Sequence, residues 1–358
     1  GAEQATQSAF ARILFDLAKA GGPLADRILT TSPDVTVSTG LGPWVNARGL
    51  FRRQQMPDVF RAANIPSPQK WAGNQAGQHV ELGIAEHNLF LMLAAAGLTA
   101  PLFGTRLIPI GTVYDPFIAR GLDALNYGCY QNARFLLVAT PSGLTLGPEG
   151  GAHQSINPPL IAMGQPGLTH YEPAFADELA LLLGHAFAHM QAPEGESVYL
   201  RLSTRSIAQP VRADASWQAG AIAGGYWLHP PAAGAEAAIV AMGALLPEAQ
   251  AGWAALRDEV PGLGLLVVTS PDLLHRGWRS GAGSHAETLL APLAPGARLV
   301  TLCDAAPASL SWLGGVRGQR VVPLGVDSFG QTGDLNDLFA RYGLDEAAII
   351  SAMAQALA

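Results

Sequence analysis

Charge is scarce in this chain of 358 residues: Asp, Glu, Lys and Arg together make up 14% of it, and no long basic cluster occurs. With a formal net charge of −7, nothing points to a nucleic-acid partner. Cysteine is scarcer still. Cys129 and Cys303 lie in separate halves without metal-ligand spacing, which argues for a reducing, cytoplasmic setting over secretion. The first twenty residues lack a basic start followed by an apolar core, so no secretory signal is expected. Long apolar runs are missing too. The best membrane candidate, Leu89 to Phe103, falls short of the roughly 18–20 residues a span needs and is broken by Gly97 and Pro101, so it reads as a buried helix.

What the chain has in quantity is apolar residues, 49% of the total, with a mean hydropathy of +0.21. That fits large cores or large subunit interfaces, and the length fits two domains. Gln4–Ala20 has the spacing of an amphipathic helix, with Phe10, Ile13, Leu14 and Leu17 on one side. Gly40–Gln78, rich in Gly, Pro, Asn and Gln, reads as a long excursion of functional or interfacial use. From Glu81, apolar strands alternate with helices: strands at Leu107–Ile110, Phe135–Ala139 and Val198–Leu202, and helices from Glu81, Asp115 and about Phe175. Ser206–Gly224 breaks the pattern, and a second block follows with strands at Ala238–Met242, Gly264–Thr269, Leu299–Cys303 and Val321–Leu324. The expected fold is α/β: two consecutive parallel-sheet domains, spanning 1–210 and 225–358.

Three stretches carry residues with chemical potential. In Gly83-Ile84-Ala85-Glu86, Gly83 permits close backbone approach, and Glu86 either caps a helix start or serves a site. Tyr114 and Phe117 follow a strand and suit either core packing or stacking on an aromatic ligand. Thr140–Ser155 is a Gly-rich segment at a strand's carboxyl end, where open α/β sheets place ligands. Its glycines leave room for a bound group and His153 offers a proton-transfer side chain, although an ordinary crossover loop would read the same. Arg201 and Arg205, at the end of a strand, could hold a substrate carboxylate or phosphate, or form salt bridges. Gly281-Ala282-Gly283-Ser284-His285-Ala286 has dinucleotide-fingerprint spacing, but no strand leads directly into it.

In order and spacing these features resemble the pyrimidine-binding domain of the thiamine diphosphate-dependent transketolase and 2-oxoacid dehydrogenase E1 superfamily. The likeness is greatest to homodimeric-type pyruvate dehydrogenase E1. Gly83-Ile84-Ala85-Glu86 matches the segment with the essential glutamate, Tyr114 and Phe117 the pyrimidine-packing aromatics, and Glu149-Gly150-Gly151-Ala152-His153 the loop ending in an active-site histidine. Tyr171–Glu178 and Pro323–Gly330 resemble further family segments, the latter in the last domain.

The resemblance implies that Glu86 hydrogen-bonds N1′ of the cofactor's aminopyrimidine and that His153 orients substrate or steadies charge near C2. Transketolases carry an aspartate four residues before the loop histidine; that position is Glu149 here, a candidate substrate contact that favours an E1. The Gly-Asp-Gly motif that holds Mg²⁺ and the diphosphate in this superfamily occurs nowhere in the chain. The expectation is therefore a subunit or fragment that holds no metal itself. It would act only with a diphosphate-binding partner, as a dimer of this chain in a larger assembly, passing an acyl group to a lipoyl-bearing acyltransferase. A transketolase-type transferase and a non-catalytic interaction subunit are the alternatives.

Overall fold

A computed structural model describes residues 2–69 and 72–358. The strands run in chain order as β1 (Glu3–Gln4), β2 (Ile28–Ser32), β3 (Leu50–Phe51), β4 (Gly73–Asn74), β5 (His79–Glu81), β6 (Ile108–Val113), β7 (Leu136–Ala139), β8 (Leu168–Tyr171), β9 (Ser197–Arg201) and β10 (Ile207–Ala208). Then come β11 (Gly225–His229), β12 (Ala235–Met242), β13 (Gly264–Val268), β14 (Leu293–Leu302) and β15 (Arg320–Leu324). The N-terminal sheet has the order β4-β3-β5-β2-β6-β7-β9-β8, with every pairing parallel. Its central strands β6 and β7 are buried along their whole length, because helices cover both faces. From β2, near the middle, the chain moves to one side as far as the edge strand β4, comes back to β5 beside β2, then crosses β2 to β6. The strand order reverses there, and in open α/β sheets the crevice at the carboxyl ends of such strands is the ligand site.

The C-terminal sheet has the order β11-β13-β12-β14-β15. Its four later strands are parallel, as expected, but β11 pairs antiparallel with β13 and makes the sheet mixed. Gly224, at φ 115°, lets the helix Trp217–Ala223 turn directly into that edge strand. The last two helices, Leu335–Arg341 and Glu346–Leu357, fall where the sequence places them.

Several local expectations shift. The helix expected from Glu81 begins at Glu86, because His79–Glu81 is taken up as β5. The helix expected over Asp115–Tyr130 is a 3-10 stretch, Asp115–Gly121, followed by an α-helix, Leu122–Tyr130. The Gly40–Gln78 excursion holds a short helix, Gly42–Arg48, and the edge strands β3 and β4. Its Lys70 and Trp71 lie outside the described residues. Among the described residues no helix is long and apolar enough to cross a membrane; Leu89–Phe103 is two helices, Glu86–Gly97 and Thr99–Phe103. The Gly281–Ala286 string is a helix start. Ser284 accepts from the Glu287 amide, and the Glu287 carboxylate accepts from the Gly283 and Ser284 amides.

Candidate active site

Glu86 opens the helix that follows β5, where the N-terminal partial positive charge favours a carboxylate. The residue is only 8% exposed. The short segment leading to it is fixed by Glu81, whose Oε1 accepts from the backbone amides of Asp34 (2.9 Å) and Gly83 (3.2 Å). Burial alone would raise the Glu81 pKa. Hydrogen bonds from His79, Thr36 and the Asp34 amide, with the charge of His79, pull it down to about 2. Gly83 sits at φ 68°, a conformation that glycine adopts without strain. Glu86 thus rests on a rigid polar support formed by the ends of β2 and β5.

Beyond β6, Tyr114 and Phe117 present parallel rings with centroids 6.1 Å apart. The His153 ring meets Phe117 edge-on at 5.5 Å, and its buried Nδ1 has no hydrogen-bond partner. Arg120 closes the constellation. Its Nη1 donates to Glu86 Oε1 at 2.6 Å, and its guanidinium lies 3.9 Å from the centre of the Phe117 ring. Since the Arg120 side chain is 52% exposed, it can swing away at little cost. One carboxylate, two aromatic faces and one imidazole with an open nitrogen therefore converge beyond the carboxyl ends of β5, β6 and β7. A flat, nitrogen-rich ring that shares a proton with Glu86 across a hydrogen bond and lies on an aromatic face fits these groups. The Arg120 guanidinium, planar and a donor, makes both contacts itself.

Arg201 and Arg205 do not join this group. Arg201 is 1% exposed, and its guanidinium is fully engaged: Nε donates to Asp115 Oδ2 (2.8 Å), Nη1 to Glu172 Oε1 (2.9 Å) and Nη2 to the Asp304 carbonyl (2.9 Å). Arg205 forks onto Glu248 at 2.6 and 2.7 Å and donates to the Ala244 carbonyl. Both form ion pairs, the second of the two roles the sequence left open, and both join the N-terminal sheet to the C-terminal half. Glu149 is exposed at the end of the 3-10 helix Gly143–Glu149, with no part in the Glu86 constellation. The glycines of that loop do not make space for a ligand either. A Cβ on Gly151 would stand 2.1 Å from the Gly330 carbonyl oxygen, and one on Gly147 would stand 2.9 Å from that of Gly333.

Sequence reasoning missed Arg120 and the carboxylates around Arg201. Burial pushes Glu172 up to about 7 and Asp304 up to about 6, against the opposing pull of Arg201. Tyr199 donates to Asp115 Oδ1 at 2.5 Å, and Ser155 donates to its Oδ2.

A family model described as the transketolase pyrimidine-binding domain matches residues 3–209, more than half of the chain. The chain belongs to this family. Among curated relatives of this transketolase-family chain, the pyruvate dehydrogenase E1 component of Corynebacterium glutamicum is 30% identical over 211 residues, 58% of this chain and 23% of that protein. A probable transketolase of Schizosaccharomyces pombe is 26% identical over 117 residues, 33% of this chain and 16% of that protein. The chain thus spans about a quarter of the length of the pyruvate dehydrogenase relatives it matches.

Among solved structures, transketolase from Campylobacter jejuni superposes with a TM-score of 0.75 at 17% identity, over 99% of this chain and 47% of that one. A chain described as a split-gene transketolase, inactive beta4 tetramer, superposes with a TM-score of 0.65 at 19% identity, over 99% of this chain and 98% of its own. The likeness covers both sheets and shows the shared fold.

Proposed function

We propose that this chain supplies the pyrimidine-binding half of a thiamine diphosphate-dependent 2-oxoacid dehydrogenase E1. The enzyme would decarboxylate a 2-oxo acid, with pyruvate the first substrate to test, and deliver the acyl group to a lipoyl carrier. The observation that carries the reading is the convergence of buried Glu86, the Tyr114–Phe117 aromatic pair and the unpartnered Nδ1 of His153. The pyruvate dehydrogenase relatives support the E1 assignment over its rivals. In this reading residues 1–210 form the pyrimidine-binding domain and 225–358 the C-terminal domain.

When bound, thiamine diphosphate supplies a carbanion nucleophile and an electron sink for decarboxylation. The chain's own residues have separate tasks. Glu86, dry and at a helix N-terminus, holds a hydrogen bond to the pyrimidine ring and shares a proton across it. Tyr114 and Phe117 wall the ring and exclude water. His153 turns Nδ1 toward the substrate. Arg120 must release Glu86 and Phe117 before the ring can take its place.

The diphosphate and its Mg²⁺ are assigned to a partner subunit or domain. A surface for such a partner is at hand: Ile84 (77% exposed), Leu91, Tyr127 and Tyr130 stand exposed around the packed helices Glu86–Gly97 and Leu122–Tyr130. A two-copy core of this chain within that assembly, in the reducing cytoplasm, completes the proposal.

The test is reconstitution with the diphosphate-binding partner, thiamine diphosphate and Mg²⁺, scored with pyruvate and an artificial electron acceptor. Glu86→Gln should lower turnover at least 100-fold while the mass of the assembly stays the same. Full activity in that variant would leave the non-catalytic reading standing. A second enzymatic reading, ketol transfer, is favoured by the match to a curated transketolase and by the split-gene structural neighbour of the same extent. Turnover of a ketose phosphate without pyruvate decarboxylation would establish it in place of the first.

A further inference from the structure

The loop that carries His153 is gripped on both flanks by the C-terminal half. Before the histidine, the Leu144 amide donates to both carboxylate oxygens of Asp304, at 2.9 and 3.0 Å. Immediately after it, Gln154, 5% exposed, donates Nε2 to the Gln331 carbonyl (2.7 Å) and accepts the Gln331 amide at Oε1 (3.0 Å). Two residues further, the Ala306 amide donates to the Ile156 carbonyl at 2.8 Å. Asp304 and Ala306 lie just past the carboxyl end of β14, and Gln331 lies past that of β15. The near contact of Gly151 with Gly330 brings the two backbones together, an approach a side chain would block.

The same frame reaches the aromatic pair. Ser155 and Arg201 both donate to Asp115, which adjoins Tyr114, and Arg201 is tied in turn to the Asp304 carbonyl. His153 itself sits between these anchors, its Nδ1 unpartnered and its ring edge-on to Phe117.

We infer that the C-terminal half is a positioning frame for His153, and that Gln154 and Asp304 are the positioning residues that hold its imidazole against Phe117. The inference rests on the reading of His153 as a site residue and deepens it: the second sheet becomes part of the site's support.

The experiment is amide hydrogen exchange on the full chain, joined to NMR chemical shifts of the His153 ring. Gln154→Ala should speed exchange across residues 145–156 at least tenfold, leave β7 and β14 at wild-type protection, and displace the His153 ring resonances that report its contact with Phe117. Asp304→Asn should loosen the other flank, with its largest change at residues 143–147. Gln154→Glu, which keeps the acceptor for the Gln331 amide but replaces the donor to the Gln331 carbonyl with a buried carboxylate oxygen, should restore no protection. Wild-type exchange and unmoved His153 ring resonances in both Gln154→Ala and Asp304→Asn would overturn the inference. So would a uniform loss of protection that includes β7 and β14, because the contacts would then hold the fold and not the loop. Neither measurement needs cofactor or turnover, so failure of the thiamine reading would show separately in the Glu86→Gln reconstitution.

Discussion

Consider replacing Glu172 with glutamine. Glu172 is 4% exposed, one carboxylate oxygen accepts from Arg201, and the other is buried without a partner. Burial first, then the neighbouring charges of Asp115 and Asp304, raise its pKa from 4.5 to about 7 despite Arg201. Tyr199 and Cys303 also face this cluster.

The folded chain therefore holds this proton more tightly than the unfolded chain does. The stabilisation is fully present below pH 4.5 and is lost as pH rises through 7, where the folded chain must also give the proton up. A shift of this size corresponds to roughly 3 kcal/mol between the two ends of the window. Glutamine cannot ionise, yet it still offers Arg201 an acceptor of the same length. The difference in unfolding free energy between pH 5 and pH 8 should shrink by about that amount in Glu172→Gln, which is on the order of 5 °C in Tm. Asp304, raised by burial to about 6, leaves a residual slope of the same sign. Calorimetry at half-unit pH steps reads both. An unchanged slope in the variant would refute the assignment of this proton to Glu172.

Two further changes probe the site and its packing. Arg120→Ala removes the guanidinium from Glu86 and Phe117. Since a pair whose cation is half exposed is worth about 1 kcal/mol, thiamine diphosphate should bind the assembled complex roughly fivefold tighter by calorimetric titration. Weaker binding would make Arg120 a ligand contact instead. Gly121→Ala would place a Cβ 2.0 Å from Phe90 Cδ2 beneath the helix that presents Glu86, and should cost about 1–3 kcal/mol in urea melts. Gly184→Ala, mid-helix with nothing within 4 Å of the new Cβ, should gain up to about 1 kcal/mol in the same assay.

The parts of the site readable from sequence are those written locally. Glu86 is announced by a glycine and a helix start, and Tyr114, Phe117 and His153 by their places just past apolar strands. What stayed hidden depends on burial and on partners distant in the chain. Arg201 could be read as a ligand arm or a salt-bridge former, and its partners were out of sight because Asp115, Glu172 and Asp304 reach it from three separate segments. Gly147 and Gly151 read as room for a ligand, yet that room is taken by the backbone of residues 330–333, from the other sheet. Strand β8 went unseen because it is four residues long and half polar, Leu168-Thr169-His170-Tyr171. Strand β11 went unseen because it follows its helix with a single glycine and no loop.

The smallest sheet of the fold sets how the two halves can move. β1 and β10 pair antiparallel, Glu3 opposite Ala208 and Gln4 opposite Ile207, while Thr6 and Gln7 bond to Ser203 just beyond β9. The segment entering the N-terminal layer is thus stitched to the segment leaving it, like the drawn mouth of a bag. A few residues on, Arg212 fastens the same connector to Asp177. Traction along the connecting chain is therefore borne by this seam before it reaches β9. Shear between the halves meets a different set of ties, those of Asp304 and Gln331 to the His153 loop and of Glu248 to Arg205.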